Sequence, residues 1–322
     1  MKIAAIYNPI SGNNDKTILE ETLNNSFAGH DFKLYQTLEP CHAISLSKQA
    51  VQEGFDVIIA IGGDGTIIEV ISGLIGSNAK LGIIPLGTGN MLAGNLGIPL
   101  NIQKAAEIIL KGNSQKIDTG KINDRYFAFM AGCGFDAKII GEVSREKKRK
   151  LGLFAYYIEG FKQSFSPKYA VFKIKLNNEK IVKVRGLAVL IANGGNIIGD
   201  LLSLFPKASL NDGLLDLLIV SPRGFFDYLP IMLKIITKQP YDKSKKIQYF
   251  QAKQIEIQTK PALFVQADGD IVGKTPVKIE VIPESIEVLT PAVKEENMLI
   301  TIDESVKNLV NQTVDYFKTT SF

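Results

Sequence analysis

The feature that most constrains the fold is a regular alternation of short apolar runs and helix-length segments between residue 2 and about residue 115. The apolar runs have the length of β-strands, and they are Lys2–Tyr7, Phe32–Thr37, Asp56–Ile61 and Leu81–Pro85. Segments of helical length lie between them, at 15–28, 43–53 and 67–75. This alternation predicts parallel βαβ units, whose ligand sites lie at the carboxyl ends of the strands.

Three of the predicted strands end in turns that are rich in glycine, asparagine and proline. The turns are Asn8–Gly12, Gly62–Thr66 and Pro85–Asn90. In Gly62–Thr66 we expect the glycines to adopt positive φ angles and to bring backbone N–H groups close to a bulky anion. Thr66 is the predicted start of the next helix, whose amide end favours an anion. One such turn is also typical of an ordinary βα connection, but three at one sheet edge predict a phosphate site.

The glycine pattern differs from two common nucleotide-binding fingerprints. The G-x-G-x-x-G motif requires a third glycine where this chain has Ile68. The segment Gly269–Thr275 is one residue too short for a P-loop, and Pro276 and a predicted strand follow it. We therefore predict a hairpin at Gly269–Thr275 rather than a phosphate loop.

From about residue 116 the sequence consists of many short β-type runs. Val171–Leu176, the turn Asn177–Asn178 and Ile181–Val184 predict a hairpin. Further strands are predicted at 187–192, 214–220, 254–258, 263–267, 277–281 and 285–289, with helices near 135–165 and 225–237. This pattern predicts a β-sandwich or barrel that carries helices.

The length of 322 residues and the hydrophobic content of 45% are sufficient for two domains. We predict a nucleotide-binding α/β domain over residues 1–118 and a β-sandwich domain over residues 119–290. The segment 291–322 has an amphipathic helical pattern and is predicted to pack against the first domain.

Composition and charge exclude several classes of protein. The net charge is +4, and cations concentrate in Arg145–Lys150 and Lys243–Lys246, which are expected either to form solvated helix faces or to contact anionic lipid. No aromatic stacking platform accompanies them, so we expect no nucleic acid. The chain lacks a signal-peptide core and an apolar run of the roughly 18 to 20 residues that span a membrane, so we expect a cytoplasmic protein with peripheral membrane contact. Two cysteines and two histidines argue against disulfide, zinc and Ser-His-Asp sites.

The order of the motifs resembles the soluble bacterial diacylglycerol kinase family of lipid kinases, which is related to sphingosine and ceramide kinases. Beyond the loop at Gly62–Thr66, which NAD kinases and phosphofructokinases share, the resemblance rests on more specific motifs over nearly the whole chain. They are Pro85–Asn90, Leu96–Pro99, Asp118–Gly120, Gly132–Asp136, Asn193–Gly194, Pro206–Asp216 and Asp268–Asp270. The resemblance implies a Rossmann-like α/β domain of the NAD kinase and diacylglycerol kinase type, a C-terminal β-sandwich, and transfer of the γ-phosphate of ATP to a lipid hydroxyl group with Mg²⁺.

The resemblance also implies the position of the nucleotide. Backbone amides at the strand ends would hold phosphate oxygens, and Asp64 would organise Mg²⁺ or water beside them. The residues implied to bind ATP are Asn8, Pro9, Ser11, Gly12, Thr37, Gly62, Gly63, Asp64, Gly65, Thr66, Ile67, Ile68, Glu69, Thr88 and Asn90.

Two further sites follow from the resemblance. Asp270 or Asp268 would accept the proton of the lipid hydroxyl group, although many relatives have Glu where this chain has Asp270. A metal loop would hold a structural Mg²⁺, with Asp212 as the charged ligand beside the carbonyl groups of Ser209 and Leu214. The other interpretations are a polar hairpin tip and an ordinary Asp-Gly turn, respectively.

Three departures from the family pattern concern the substrate. Met91 stands where many members have Asp, Gly94 where many have Arg, and Asn13 where some have Lys. These changes weaken the inference of diacylglycerol more than the inference of a lipid kinase. An NAD kinase-like enzyme and a nucleotide- or lipid-binding module without turnover remain open as alternatives. A lipid substrate at a membrane surface and a homodimer are the expected partners.

Overall fold

The computed structural model describes residues 1–12, 16–134, 169–194, 196–198, 202–203, 205, 207–222, 227 and 246–292. Met1–Pro291 form one compact unit, and Ala292–Phe322 form a second unit of which only Ala292 is described. Several predictions lie outside the described residues. They are the helix near 135–165, the helix near 225–237 apart from residue 227, the basic run Arg145–Lys150, residues 243–245 of the second basic run and the helix of the C-terminal segment.

The first half of the fold contains a parallel sheet that positions the candidate site. Its strands are β1 (Lys2–Tyr7), β2 (Asp31–Gln36), β3 (Val57–Gly62) and β4 (Lys80–Pro85), in the order β2-β1-β3-β4. The helices are α1 (Lys16–Ser26), α2 (His42–Gln52), α3 (Asp64–Leu74), α4 (Met91–Asn95) and α5 (Ile102–Lys111). Every residue of β3 is buried, as in a parallel sheet covered on both faces. The predicted α/β class is confirmed.

The second half is an antiparallel sandwich. Its strands are β5 (Ser114–Ile122), β6 (Arg125–Phe127), β7 (Met130–Cys133), β8 (Ala170–Leu176), β9 (Lys180–Gly186), β10 (Ala188–Ala192), β11 (Asn196–Ile198), β12 (Leu202–Ser203), β13 (Leu215–Val220), β14 (Ile247–Ala252), β15 (Gln254–Lys260), β16 (Phe264–Ala267), β17 (Asp270–Lys274) and β18 (Val277–Leu289). A six-stranded sheet, β14-β13-β10-β7-β16-β17, packs on the antiparallel part of a ten-stranded sheet. The predicted β-sandwich and the β8–β9 hairpin are confirmed.

Strands β5 and β18 join the two halves into one continuous sheet. In β18, Val281 pairs with Gly120 of β5, whereas Val288 pairs in parallel with Leu81 of β4. The side chain of Val281 lies in the sandwich core and that of Val288 in the core of the parallel half. The pairing of β5 with β18 changes register between Ile282 and Ile286. The continuity of the sheet was not predicted from the sequence, and the limits 1–118 and 119–290 stay a prediction.

Gly120 and Gly94 provide a matched test of packing at this junction. A Cβ atom on Gly120 would lie 2.0 Å from Cζ of Phe127, which is fully buried, whereas a Cβ on Gly94 in α4 would meet nothing within 4 Å. We expect Gly120→Ala to lower the free energy of unfolding by about 1 to 3 kcal/mol through overpacking. Gly94→Ala should raise it by up to about 1 kcal/mol, because alanine favours helix. Urea unfolding of both variants measures the difference, and equal effects would contradict the packing at Phe127.

Candidate active site

In the turn Gly62–Thr66, Gly62 and Gly63 are required by limited space rather than by unusual backbone angles. None of Gly62, Gly63 and Gly65 has a positive φ, so this part of the prediction was wrong. A Cβ on Gly62 would lie 2.6 Å from Oγ1 of Thr66, and one on Gly63 would lie 3.2 Å from Cα of Gly87. A side chain at Gly63 would therefore separate this turn from the turn Pro85–Asn90, whereas a Cβ on Gly65 would meet nothing within 4 Å.

Helix α3 also begins earlier than predicted, at Asp64 rather than at Thr66. Gly63 is its N-cap residue, with an extended backbone at φ −90° and ψ −176°. A carboxylate in the first turn is favourable because the amide end of a helix carries partial positive charge, and this offsets the low helix propensity of Gly65. The first amides of α3 consequently lie within the turn itself, and such amides have no acceptor inside the helix.

The turn Pro85–Asn90 is closed by its own asparagine. The side chain of Asn90 accepts a hydrogen bond from the Gly87 amide at 2.9 Å and donates one to the Gly87 carbonyl at 2.6 Å. Asn90 is buried and has a φ of 46°, a conformation that asparagine tolerates better than most residues. A Cβ on Gly87 would lie only 2.5 Å from Cα of Gly63. The two glycine turns therefore pack backbone against backbone.

The side chain of Asp64 bridges these two turns. Its Oδ1 atom accepts hydrogen bonds from the amides of Met91 at 2.8 Å and Leu92 at 3.4 Å. Its Oδ2 atom lies against Gly89, where a Cβ would approach it to 2.7 Å. Burial raises the pKa of Asp64, and the amide hydrogen bonds oppose that shift. Asp64 thus holds the start of α4 through its Oδ1 atom, while its Oδ2 atom lies beside Gly89.

The first predicted turn joins the same edge through Asn8. The Asn8 side chain donates to Oγ1 of Thr66 at 2.9 Å and accepts from the amide of Ile10 at 3.0 Å. The amide of Ser11 donates to the Asn8 carbonyl at 3.1 Å, and Gly12 has a φ of 76°. The turns after β1, β3 and β4 therefore meet at the carboxyl ends of the strands.

Glu69 and Thr37 organise the neighbouring segment after β2. The two carboxylate oxygens of Glu69 accept hydrogen bonds from the amides of Cys41 at 3.0 Å and Ala43 at 3.2 Å, at the beginning of α2. Thr37 is buried, and its amide donates to the carbonyl of Tyr7 at 2.9 Å. Glu69 therefore fixes the backbone of the segment rather than presenting free oxygen atoms, and its contact with a nucleotide stays a prediction.

The remaining residues of the predicted nucleotide set divide into two groups. Pro9 and Thr88 are exposed at the edge. Ile67 is buried in the core of the parallel half, and Ile68 packs against that core. The isoleucines therefore contribute side chains to packing, which leaves only their backbone atoms available at the turn.

The tip of the β16–β17 hairpin contains the two predicted bases, and the structure gives them different surroundings. Asp268 accepts hydrogen bonds from the amides of Ala128 at 2.7 Å, Phe129 at 3.1 Å and Met130 at 2.8 Å. Burial raises the pKa of Asp268 to about 6, the three amides oppose the shift, and the charge of Asp64 adds to it. Asp268 therefore fixes the hairpin tip to the segment before β7, and it lies within electrostatic reach of Asp64.

Asp270 is exposed at the first position of β17, where it pairs with Ala267. No hydrogen bond or ion pair with another described residue occupies its carboxylate. Of the two predicted bases, Asp270 is consequently the one with free oxygen atoms. The predicted hairpin at Gly269–Thr275 is confirmed, since β17 pairs with β16 rather than preceding a helix.

The predicted metal loop, residues 209–214, contains an exposed carboxylate with uncompensated charge. Oδ1 of Asp212 accepts from the amide of Leu214 at 2.9 Å, and the hydroxyl group of Ser209 donates to Asn211 at 2.8 Å. Burial raises the pKa of Asp212, and the charge of Asp118 raises it further, so a hard cation at this oxygen-rich loop would offset a real repulsion. Within the described ranges no three acidic, histidine or cysteine side chains converge on a metal position. The predicted set of one carboxylate and two carbonyl groups stays a prediction.

Sequence reasoning did not include Asp118 among the site residues, although the structure places it behind the metal loop. Its carboxylate accepts from the amides of Gly213 at 2.7 Å and Glu284 at 2.8 Å. Its carbonyl group accepts from the side chain of Asn193 at 2.7 Å, and its amide donates to Leu210 at 2.6 Å. The available signal for this role was the place of Asp118 in the Asp118–Gly120 motif, which lies in the middle of β5.

The fold and the site define an enzyme of the architecture shared by diacylglycerol kinases and NAD kinases. Residues 2–122 match the model of the diacylglycerol kinase catalytic domain, and residues 130–290 match that of the YegS C-terminal NAD kinase beta sandwich-like domain. A diacylglycerol kinase of Staphylococcus aureus (strain bovine RF122 / ET3-1) is 32% identical over 312 residues, which cover 95% of this chain and 98% of that protein. The chain belongs to the diacylglycerol kinase family and is a kinase.

Solved structures agree with this assignment. The crystal structure of a diacylglycerol kinase from Bacillus anthracis str. Sterne is 27% identical, with a TM-score of 0.74 and coverage of 90% of this chain and 97% of that chain. An NAD kinase from Archaeoglobus fulgidus, solved in complex with ATP, is 14% identical with a TM-score of 0.50 and covers 97% of this chain and 98% of that chain. The second likeness shows the fold alone. Within the part of the chain that is described, no helix is long and apolar enough to cross a membrane.

Asp268 and Asp270 allow a test of their different structural roles. We expect Asp268→Ala to lower the free energy of unfolding by about 3 kcal/mol or more, because three amides lose a charged acceptor. Asp270→Ala should change it by less than about 0.5 kcal/mol, as is usual for an exposed side chain without partners. Chemical denaturation of both variants provides the measurement. Equal stabilities would contradict the anchoring role of Asp268.

The raised pKa of Asp216 can be tested by measuring stability at several pH values. It is fully buried in β13, where its Oδ1 atom accepts the Tyr249 hydroxyl group, and burial raises its pKa to about 6 from the ordinary value of 3.8. Between about pH 4 and pH 6 the unfolded state releases this proton first, so the contribution of Asp216 to stability falls as pH rises. We expect Asp216→Asn to gain on the order of 2 kcal/mol relative to wild type across this window. Urea unfolding at several pH values measures the difference, and a pH-independent difference would contradict the raised pKa.

Proposed function

We propose that this kinase transfers the γ-phosphoryl group of ATP to a hydroxyl group of a diacylglycerol-like or related lipid. The observation that carries the proposal is the short chain of contacts that joins the Asp64 turn to the hairpin tip of Asp268 and Asp270. The Met91 amide donates to Asp64, the Met91 side chain packs against the cluster that contains Phe129, and the Phe129 amide donates to Asp268. The Asp64 turn suits the phosphate donor, and the hairpin tip suits the acceptor. Phosphoryl transfer requires the two to lie next to each other.

On the donor side, the structure supplies amides without side chains in front of them. Gly63 caps α3, and Gly87 touches it from the neighbouring turn. Such glycine turns let phosphate oxygens approach the amide end of the helix. Asn8, Asn90 and Asp64 hold the three turns through the hydrogen bonds described above, so the positions of the amides are set before a nucleotide arrives. Preorganisation of this kind favours transfer because no reorganisation is needed in the reaction.

On the acceptor side, Asp270 is the proposed general base. Its exposed carboxylate is free to accept the proton of a lipid hydroxyl group, whereas both oxygens of Asp268 are occupied by amides. Asp268 is a positioning residue, since it fixes the tip on which Asp270 lies. The aspartate at position 270 is one methylene shorter than the glutamate of many relatives, so the base acts at closer approach or through water.

Mg²⁺ is part of the proposal at two places. Ser209, Asp212 and Leu214 would hold a structural ion through oxygen atoms alone, and Asp64 would act beside the phosphates. When bound, the ion neutralises negative charge on phosphate oxygens and carboxylates. The residues themselves fit this role, because burial raises the pKa of both Asp64 and Asp212, and the charge of Asp118 raises that of Asp212 further.

A lipid acceptor at a membrane surface is the proposed partner. The hairpin that contains Asp270 exposes two apolar side chains, Phe264 and Ile271, each 44% exposed. Met91, which stands where many relatives have aspartate, packs against a cluster that contains Phe129. Exposed apolar side chains beside a base favour an amphiphilic acceptor over a free nucleotide such as NAD.

The proposal is tested by transfer of labelled γ-phosphate from ATP and Mg²⁺ to detergent-dispersed diacylglycerol, monoacylglycerol, sphingosine and ceramide, with NAD as a control acceptor. We expect a labelled lipid with wild type. Asp270→Asn should lower kcat by on the order of 10²- to 10⁴-fold, because the base is lost.

The matched control is Asp31→Asn, which removes a charge at the opposite end of the parallel sheet, on the first residue of β2, and should leave kcat unchanged. Labelled NADP would favour an NAD kinase-like activity. ATP binding without any labelled product would favour a module without turnover. Either result would contradict the proposed lipid transfer.

A further inference from the structure

The outer face of the antiparallel part of the ten-stranded sheet is strongly cationic. Residues opposite each other in neighbouring strands point to the same side of a sheet. The registers place three rows on this side: Arg185–Val171–Lys260, Lys183–Lys173–Gln258 and Ile181–Lys175–Glu256–Lys278. A fourth row, Gln254–Glu280–Lys121–Tyr126, completes it. We name the side formed by these rows the cationic face.

The charge of the cationic face is high for the size of the surface. It contains seven cationic and two acidic residues, a net charge of +5, whereas the whole chain has +4. None of the seven cations forms a salt bridge with an acid among the described residues. The charge therefore remains available to a partner.

The distribution of charge on the cationic face is not the one that the stability of the sheet would favour. Glu256 and Glu280 lie at the β15–β18 end, beside Lys175, Lys278 and Lys121, and a polar hollow of about 380 Å³ lies there. At the β8–β9 end there is no acid, and Lys173 lies directly opposite Lys183. Like charges in direct cross-strand pairs destabilise a sheet. Stability alone would favour a lysine–glutamate pair at this position.

The apolar content of the face favours a bilayer over a nucleic acid. Val171 and Ile181 lie among the cations and are 51% and 53% exposed. Apolar side chains within a basic surface suit the boundary between lipid headgroups and acyl chains. Single-stranded nucleic acid is held by exposed aromatic platforms, whereas the two tyrosines at the margins of this face, Tyr126 opposite Lys121 and Tyr169 under Arg185, are both partly buried.

We propose that the cationic face docks on the surface of an anionic lipid bilayer. The ammonium and guanidinium groups contact the phosphate headgroups, and Val171 and Ile181 enter the boundary region. The inference rests on the proposed function, because a lipid kinase must bind the membrane that contains its substrate. Docking itself requires neither ATP nor turnover, so the two are measurable separately.

The test is co-flotation with vesicles of phosphatidylglycerol and phosphatidylcholine, compared with phosphatidylcholine alone, using the full chain without nucleotide. Wild type should bind the anionic vesicles and release them as salt rises from about 0.1 M to about 1 M. Lys173→Glu with Lys183→Glu should lower the partition coefficient by on the order of tenfold or more, because each lysine near an anionic surface contributes to binding. The fold should survive, since the cross-strand pair remains like-charged.

The matched control is Lys48→Glu with Lys104→Glu, at exposed positions on α2 and α5. It changes the net charge by the same amount and should retain binding. Three results would overturn the proposal. They are wild-type binding to neutral vesicles alone, an equal loss of binding in both double variants, and binding of the protein to a nucleic acid duplex instead of to vesicles.

Phosphoryl transfer to lipid in a non-ionic detergent separates the two inferences. There Lys173→Glu with Lys183→Glu should keep wild-type activity, because detergent-dispersed substrate requires no docking. Vesicle binding without lipid phosphorylation would count against the proposed function and leave the docking surface intact.

Discussion

The junction between the two halves of the molecule depends on one buried carboxylate. Asp118 is 1% exposed, and its two oxygens accept amides from Gly213 in the metal loop and Glu284 at the register change of β18. An ionised group is expensive to bury unless it is fully hydrogen-bonded, and here the amides come from segments that are distant in sequence. The interaction therefore forms only when β5, β18 and the metal loop are in place together, and it fixes the sandwich relative to the parallel strands.

Carboxylates that accept backbone amides from distant segments also occur around the candidate site. Asp64, Glu69 and Asp268 each accept backbone amides from another segment, and together they fix the turns, the loop after β2 and the hairpin tip. Hydrogen bonds to an ionised acceptor are among the stronger ones in proteins, so loops that have few side chains of their own become rigid. The glycines complement the carboxylates, because they allow these turns to approach at distances that a Cβ would prevent.

Much of this architecture could be predicted from the sequence, because periodicity and turn residues are local signals. The alternation of strands and helices, the sandwich and the β16–β17 hairpin all follow from such signals. The continuous sheet could not be predicted, since the pairing of Val288 with Leu81 joins residues far apart in sequence. Residue types alone also do not separate Asp268 from Asp270. Their difference arises from three amides at residues 128–130, which only the folded chain brings to the hairpin tip.

The proposed roles of Asp268 and Asp270 separate anchoring from proton transfer. A carboxylate that must accept a proton from a substrate needs free oxygen atoms and an exposed position, whereas one that positions a loop needs burial and donors. Gly269 places both types two residues apart, on a tip where Asp268 and Gly269 have φ values of 44° and 91°. The anchored residue fixes the direction in which the free one points, so Asp270 is positioned by hydrogen bonds that it does not make itself. A shorter side chain at the proposed base, Asp270, therefore leaves the anchor unchanged and alters only its reach toward the acceptor.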